Sequence, residues 1–346
     1  MRRDRLVRAL RGEETDTTPI WLMRQAGRHL PGYRKLRESH PILEIARSPD
    51  LAAEVTLEPL RRYDVDAGVV FADISLPFYG LGVEFSIDPG LGPVVPHPIR
   101  RREDVDALRE FDARNSVPFV GQAIERFLER EAERPIIGFA GGPFTLAAYL
   151  IEGGPSREFP ETKRLLYSDP ATFDRLVDRL AAMTVDYLRF QADRGAAALQ
   201  LFDTWAGAVS PSVFERHLLE PTRRIFDELR ALGRPTIHFS TGSSHLLELL
   251  ARTGADALGV DWREPLGEVR RRVGGRMALQ GNLDPGALLG TADRLRHEAG
   301  AVLDEIPDGR SLVFNLGHGV LPATDPERVR ELVEYVHASG FDRRRR

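Results

Sequence analysis

Apolar residues recur along the chain in two rhythms. Short β-branched or apolar runs stand at Ile20–Met23, Ala67–Phe71, Ile136–Ala140, Ala197–Phe202, Thr236–Phe239, Ala257–Val260, Met277–Gln280 and Leu312–Asn315. Segments such as Ala171–Arg194, Pro211–Leu232, Asp293–Glu305 and Pro326–Ala338 instead carry apolar residues at three-to-four spacing and end at or near glycine. The first rhythm predicts buried strands and the second amphipathic helices. Their alternation predicts βα units on a parallel sheet, and eight such units make a (β/α)8 TIM-type barrel. A doubly wound open sheet is the alternative topology. The stretch from Tyr79 to Arg100 breaks the alternation and predicts a β-hairpin insertion around 79–100 with a Gly/Pro-rich turn. No internal repeat or Gly/Ser linker appears, so residues 1–346 are expected to form a single domain.

A barrel places its chemistry where each strand runs into the following loop. Those positions are loaded here. Arg24 and Arg28 follow the first run and Asp73 the second; a Gly141–Gly142–Pro143 turn follows the third. Asp203 with Thr204, the stretch HFSTG, Asp261, the stretch QGNLDP, and His318 between two glycines follow the remaining five. The opposite ends of the same runs carry few polar clusters.

Composition narrows what these positions do. A net charge of −4 and a pI near 6.2 argue against nucleic-acid and membrane-surface partners, which demand a basic excess. The absence of cysteine excludes disulfides, thiolate nucleophiles and zinc sites with Cys ligands. The nine histidines show no HxxxH or HExxH spacing, so no metal is expected. Lys35 and Lys163, the only two lysines, lie in arginine-rich polar contexts unsuited to Schiff-base chemistry. No run approaches the roughly 20 apolar residues of a membrane span, and no secretory leader is evident. A cytoplasmic, soluble protein is expected.

An arginine pair at i, i+4 ordinarily decorates a solvated helix face. Arg24 and Arg28 differ, because they follow directly on an apolar run and MRQAGRHLPGYR contains no acid. Two guanidiniums without a nearby carboxylate suit a site that waits for carboxylates or phosphates from a ligand. With no Walker-type loop present, carboxylates are favoured. Asp73 reads equally as a turn or capping residue and as a stabiliser of positive charge on a substrate. Asp203 and Asp261 share that ambiguity, whereas Asp284 before Pro285 reads as a helix start. The glycines around His318 suggest close backbone approach and a ring able to donate to an anion. The Gly-Gly-Pro turn reads as an anion-binding helix N-terminus or as a turn packed against a neighbouring strand. Tyr149 on the following helix is by itself an ordinary core-edge tyrosine.

Taken in order, PIWLMRQAGRHLPGYR, FADI, GFAGGPFTLAAYLIEGG, LFDTWAG, QGNLDP and FNLGHGV resemble the uroporphyrinogen decarboxylase family of haem and tetrapyrrole biosynthesis, over roughly Pro19 to Pro322. The resemblance implies a distorted (β/α)8 barrel, a homodimer, and a carboxy-lyase that needs no metal or organic cofactor. It implies conversion of the four acetate side chains of uroporphyrinogen III to methyls, giving coproporphyrinogen III and four CO2. Carried over, Arg24 and Arg28 bind substrate carboxylates, with one of them a candidate proton donor. Asp73 accepts from the pyrrole N–H groups and stabilises the protonated ring. Tyr149, Thr204 and His318 bind further carboxylates, with His318 assisting proton delivery. An arginine is a poor general acid, so the identity of the donor stays open. Gly32 stands where many members of the family have Glu, and HFSTG departs from the usual pattern; neither removes a proposed ligand. Three rivals are weaker. A related corrinoid-linked methyltransferase wants Cys ligands, a non-catalytic porphyrin carrier has no need of Asp73, and a Schiff-base aldolase wants a better-placed lysine.

Overall fold

The computed structural model of the chain describes residues 4–88, 92–275, 277–307 and 309–343. Seven strands form one curled, wholly parallel sheet: β1 (Gly68–Val69), β4 (Ile136–Gly141), β5 (Ala198–Phe202), β6 (Thr236–Phe239), β7 (Ala257–Gly259), β8 (Ala278–Leu283) and β9 (Leu312–Leu316), neighbours in that order. Between β1 and β4, β2 (Ser86–Asp88) pairs antiparallel with β3 (Gly92–Val94), Ser86 opposite Val94. The expected turn of that hairpin, 89–91, lies outside the described residues. Helices cover the outer face, among them Pro170–Asp193, Ala292–Asp304 and Pro326–Arg343. The expected helix Pro211–Leu232 is interrupted by a π turn at Phe214–Leu218. Among the described residues no helix is long and apolar enough to cross a membrane.

Seven of the eight apolar runs become strands of the sheet, and the first is cut to a single residue. Ile20 bridges Phe314 in parallel, and only Pro19, Ile20 and Trp21 share backbone hydrogen bonds with β9 and with Asp66, just before β1. The next two amides leave the ladder because side chains take them. Leu22 N–H donates to Gln25 Oε1 at 2.9 Å and Met23 N–H to Asn315 Oδ1 at 3.0 Å. The segment closes the ring without becoming a strand, which is where the barrel departs from regularity.

Side chains alternate across each strand, so the same strands feed two cores. Outward residues such as Leu199, Leu201, Leu258, Leu279, Leu312 and Phe314 pack beneath the helices. Inward residues Ala67, Ile137, Ala198, Ile237, Ala257, Ala278 and Val313 form a separate cluster with Trp21 and with Leu6, Ala9 and Leu10 of the helix Arg5–Leu10. That helix plugs the bottom of the barrel. Four alanines in the inward layer leave the volume that Trp21, 1% exposed, occupies. Above it a polar layer crosses the barrel: Trp21 Nε1–H donates to Gln280 Oε1 and Gln280 Nε2–H to Gln200 Oε1, each at 3.0 Å.

The plug is held by ions. Asp66, 1% exposed, accepts from Arg5 at 2.5 Å, from the Ile20 amide at 2.7 Å and contacts His337 Nε2 at 2.8 Å. One carboxylate thus ties the N-terminal helix, the first segment and the C-terminal helix Pro326–Arg343 together. Removing it leaves a guanidinium buried with Asp16 as its remaining partner. Asp66→Ala is expected to cost about 3 kcal/mol of unfolding free energy, read by urea titration, while activity at low temperature is retained.

Candidate functional site

The first loop is built around a buried anchor. Gln25, 2% exposed, accepts from Leu22 N–H with its Oε1 and donates through Nε2 to Ala67 O at 2.9 Å, so the chain turns sharply there. Arg24 is thrown outward with φ at 58°, in the left-handed region. Its stem lies on Gly319: a Cβ there would come within 2.4 Å of Arg24 Cδ. The Val320 amide donates to Met23 O at 2.8 Å, joining the first loop to the eighth. Among the described residues neither Arg24 nor Arg28 is held by an ion pair or a side-chain hydrogen bond. Arg28 lies at the rim, in a recess of about 440 Å³ shared with Arg34, Arg37, Glu38 and Pro322.

Asp73 makes the turn that one reading of its type predicted. Its Oδ1 accepts from the Ser75 amide at 2.9 Å and the Ser75 hydroxyl at 2.6 Å, and its carbonyl accepts from Leu76 N–H at 3.2 Å, opening the short 3-10 helix Leu76–Tyr79. Oδ2 accepts from no described residue.

Tyr149, on the helix Pro143–Glu152, lies within the field of both groups. Burial pushes its hydroxyl up, the charge of Asp73 pushes it further, and Arg24 opposes them. Tyr149 thus stands near enough to both charged groups, at the strand-end mouth of the barrel, to respond to them. Trp205, beside Thr204, packs on Tyr149 with ring centroids 4.3 Å apart. The half-buried Thr204 uses its carbonyl to accept from the Thr241 hydroxyl at 2.7 Å, fixing the fourth loop to the fifth. His318 completes the group from the eighth loop. Burial, then the Arg24 charge, push its ring down to about 4, so it is a neutral imidazole near pH 7. Its preceding Gly317 has no room for a side chain, since a Cβ would come 2.3 Å from the Trp262 amide nitrogen.

Other loop-end residues brace the loops. The Gly-Gly-Pro turn packs against the next strand: a Cβ on Gly142 would come 2.3 Å from Asp203 Cβ. The helix N-terminus behind it is already satisfied, because Asp203 Oδ1 accepts from the amide and hydroxyl of Thr145 at 2.9 and 2.8 Å. Burial pushes the Asp203 carboxyl up to about 6, and its Oδ2 has no partner. The anion-site reading of that turn gives way to an internal cap. Asp261 is likewise a brace, accepting from Gly242 N–H at 2.5 Å and Arg263 at 2.6 Å. Asp284 accepts from Gly286 N–H at 2.8 Å and starts a 3-10 helix.

Three features escaped sequence reasoning. Phe139, Phe202, Phe239 and His318 form a chain of ring contacts at 5.4, 5.7 and 6.3 Å, an apolar floor assembled from inward positions of three strands. Arg34 and Arg37 join Arg28 at the rim, which their i, i+3 spacing after Pro31 signals only once the helix Pro31–Ser39 is known to face the mouth. Ser75 orients Asp73, and nothing in its type announces that. Among the described residues no three His, Asp or Glu side chains are grouped as ligands for a metal ion. This strand-end chamber thus offers one carboxylate oxygen, the Arg24 guanidinium without an ion pair among the described residues, neutral donors and an apolar floor, with Arg28 at the rim, a surround for a flat or cupped molecule bearing several carboxylates.

The family model for uroporphyrinogen decarboxylase (URO-D) matches residues 1–339. The curated uroporphyrinogen decarboxylase of Streptomyces coelicolor is 48% identical over 331 residues, covering 96% of this chain and 93% of that protein. A Thermus thermophilus protein of the same name is 46% identical over 333 residues, covering 96% and 97%. Among solved structures, a methyltransferase from Methanosarcina mazei superposes with a TM-score of 0.79 at 20% identity, covering 98% of each chain; that likeness speaks for the fold alone.

Proposed function

The chain belongs to the uroporphyrinogen decarboxylase family, and from that premise we propose the cofactor-independent conversion of the four acetates of uroporphyrinogen III to methyls, yielding coproporphyrinogen III and four CO2. It is a carboxy-lyase that decarboxylates uroporphyrinogen in tetrapyrrole biosynthesis. The observation that supports the proposal is Arg24, without an ion pair among the described residues and close enough, like Asp73, to act on Tyr149, while Arg28 stands at the rim. Action as a homodimer is carried over from the family resemblance, and a cytoplasmic setting from the lack of a run of about 20 apolar residues.

Loss of CO2 leaves an electron pair on the acetate methylene carbon, and the pyrrole itself is the sink. Protonation at the pyrrole α-carbon gives a ring cation. The C–C bond to the carboxylate then breaks, its electrons neutralise the ring, and CO2 leaves. A proton added to the exocyclic methylene and the loss of the α-proton restore the pyrrole, now bearing a methyl. Asp73 Oδ2 accepts from the pyrrole N–H groups and carries the charge that stabilises the cation in a secluded chamber. Arg24 and Arg28 hold carboxylates bidentately, with Tyr149, Thr204 and His318 as further donors. A neutral His318 donates a hydrogen bond to a carboxylate without adding a third cation. The floor of Phe202 and Phe239 excludes water beneath the macrocycle, strengthening each of these interactions.

The test is anaerobic incubation of the purified, chelator-treated protein with uroporphyrinogen III, then oxidation and chromatography of the products. A ladder from eight to four carboxyls without added cofactor is expected. An unchanged octacarboxylate would overturn the proposal.

A further inference from the structure

We propose that Ser75 is a positioning residue for the reaction: its hydroxyl and amide together lock one oxygen of Asp73, so that only the other faces the pyrrole N–H groups. The inference rests on the proposed role of Asp73.

A half-buried carboxylate on a loop has two oxygens and a freely turning χ2, and either oxygen could drift to any donor nearby. Here the two donors of Ser75 converge on Oδ1 alone, at 2.9 Å from the amide and 2.6 Å from Oγ. Ser75 itself is 0% exposed, so its hydroxyl has no water to turn to and the bond is not shared with solvent. The residues that follow hold Ser75 rigid: Phe78 N–H donates to Ser75 O at 2.9 Å, and Leu76 and Phe78 of the 3-10 helix are each 0% exposed. The amide bond alone is a common turn contact made by any residue at this position. The hydroxyl is what serine adds. A short O–H donation to a carboxylate is among the stronger hydrogen bonds of a protein. Its effect is directional: Oδ1 is saturated by two donors, and Oδ2, which accepts from no described residue, is the oxygen with lone pairs still to offer. A catalytic group set in place before substrate arrives needs no reorganisation when the ring becomes charged.

The test compares Ser75→Ala, Asp73→Asn and the double variant in the full-length protein, with uroporphyrinogen III as substrate. Ser75→Ala is expected to lower kcat about tenfold, the scale of one hydrogen bond to a charged group. KM should stay within about twofold, and so should the stoichiometry of coproporphyrin binding read by fluorescence. In the Asp73→Asn background the same change should cost nothing further, because the charge it orients is gone. Unchanged kcat in Ser75→Ala overturns the inference. So does a parallel loss of kcat, binding stoichiometry and melting temperature, which would mark a merely structural serine, and so does multiplication of the two effects in the double variant. Normal turnover in Asp73→Asn would instead remove the reading of Asp73 itself, and this inference with it.

Discussion

Asp73→Asn lowers kcat by about three orders of magnitude and leaves KM within a few-fold, the expected loss when a preorganised charge is taken from a developing cation. The substitution preserves volume and lets Oδ1 keep both bonds from Ser75, so the turn survives. What changes is the other terminus of the side chain. An NH2 replaces Oδ2, confronting the pyrrole N–H groups with a donor and the protonated ring with no charge. Substrate carboxylates are still gripped by Arg24 and Arg28, which explains why binding persists. Steady-state kinetics with uroporphyrinogen III checks the split, and near-normal kcat would remove Asp73 from the chemistry.

Arg24→Ala damages both parameters, raising KM and lowering kcat so that kcat/KM falls about a thousandfold in all. Arg24 is the arginine whose charge acts on both Tyr149 and His318, and its stem packs on Gly319. Losing it frees a substrate carboxylate to drift, and the acetate to be cleaved drifts with it. A second readout isolates the electrostatic part. Arg24 is one of the charges that hold the His318 ring down near 4, so in the variant that ring titrates at a higher pH. Ring-proton NMR of the substrate-free protein measures this directly. An unmoved His318 titration would place Arg24 outside the chamber.

Much of this architecture is legible in periodicity, because parallel strands buried on both faces write continuous apolar runs. The exception, Ile20–Met23, shows what periodicity omits. Its hydrophobicity is right for a strand, but Gln25 and Asn315 take two of its amides, and a competition between side chain and ladder cannot be read from apolar spacing. Position within a βα unit brought Arg24, Asp73 and His318 to notice, and the family resemblance added Tyr149. It did not separate them from Asp203 and Asp261, which occupy equivalent strand ends but turn inward to cap Thr145 and to hold Arg263. That difference lies in one side-chain rotation and is invisible in residue type. Ser75 and the aromatic floor were hidden for a related reason: each acts through a neighbour brought close by the turn or by strand register.

The backbone of Arg24 carries a consequence of its own. An L-residue at φ 58° gives up on the order of 1 kcal/mol relative to glycine, which adopts that region freely. Among the described residues its side chain recovers none of this from an ion pair. Glycine, the easier residue for this backbone, is a single base away from any arginine codon. Arg24→Gly would fold more readily and capture acids less well. On the role proposed for Arg24, folding and substrate capture ask for different residues at this one position.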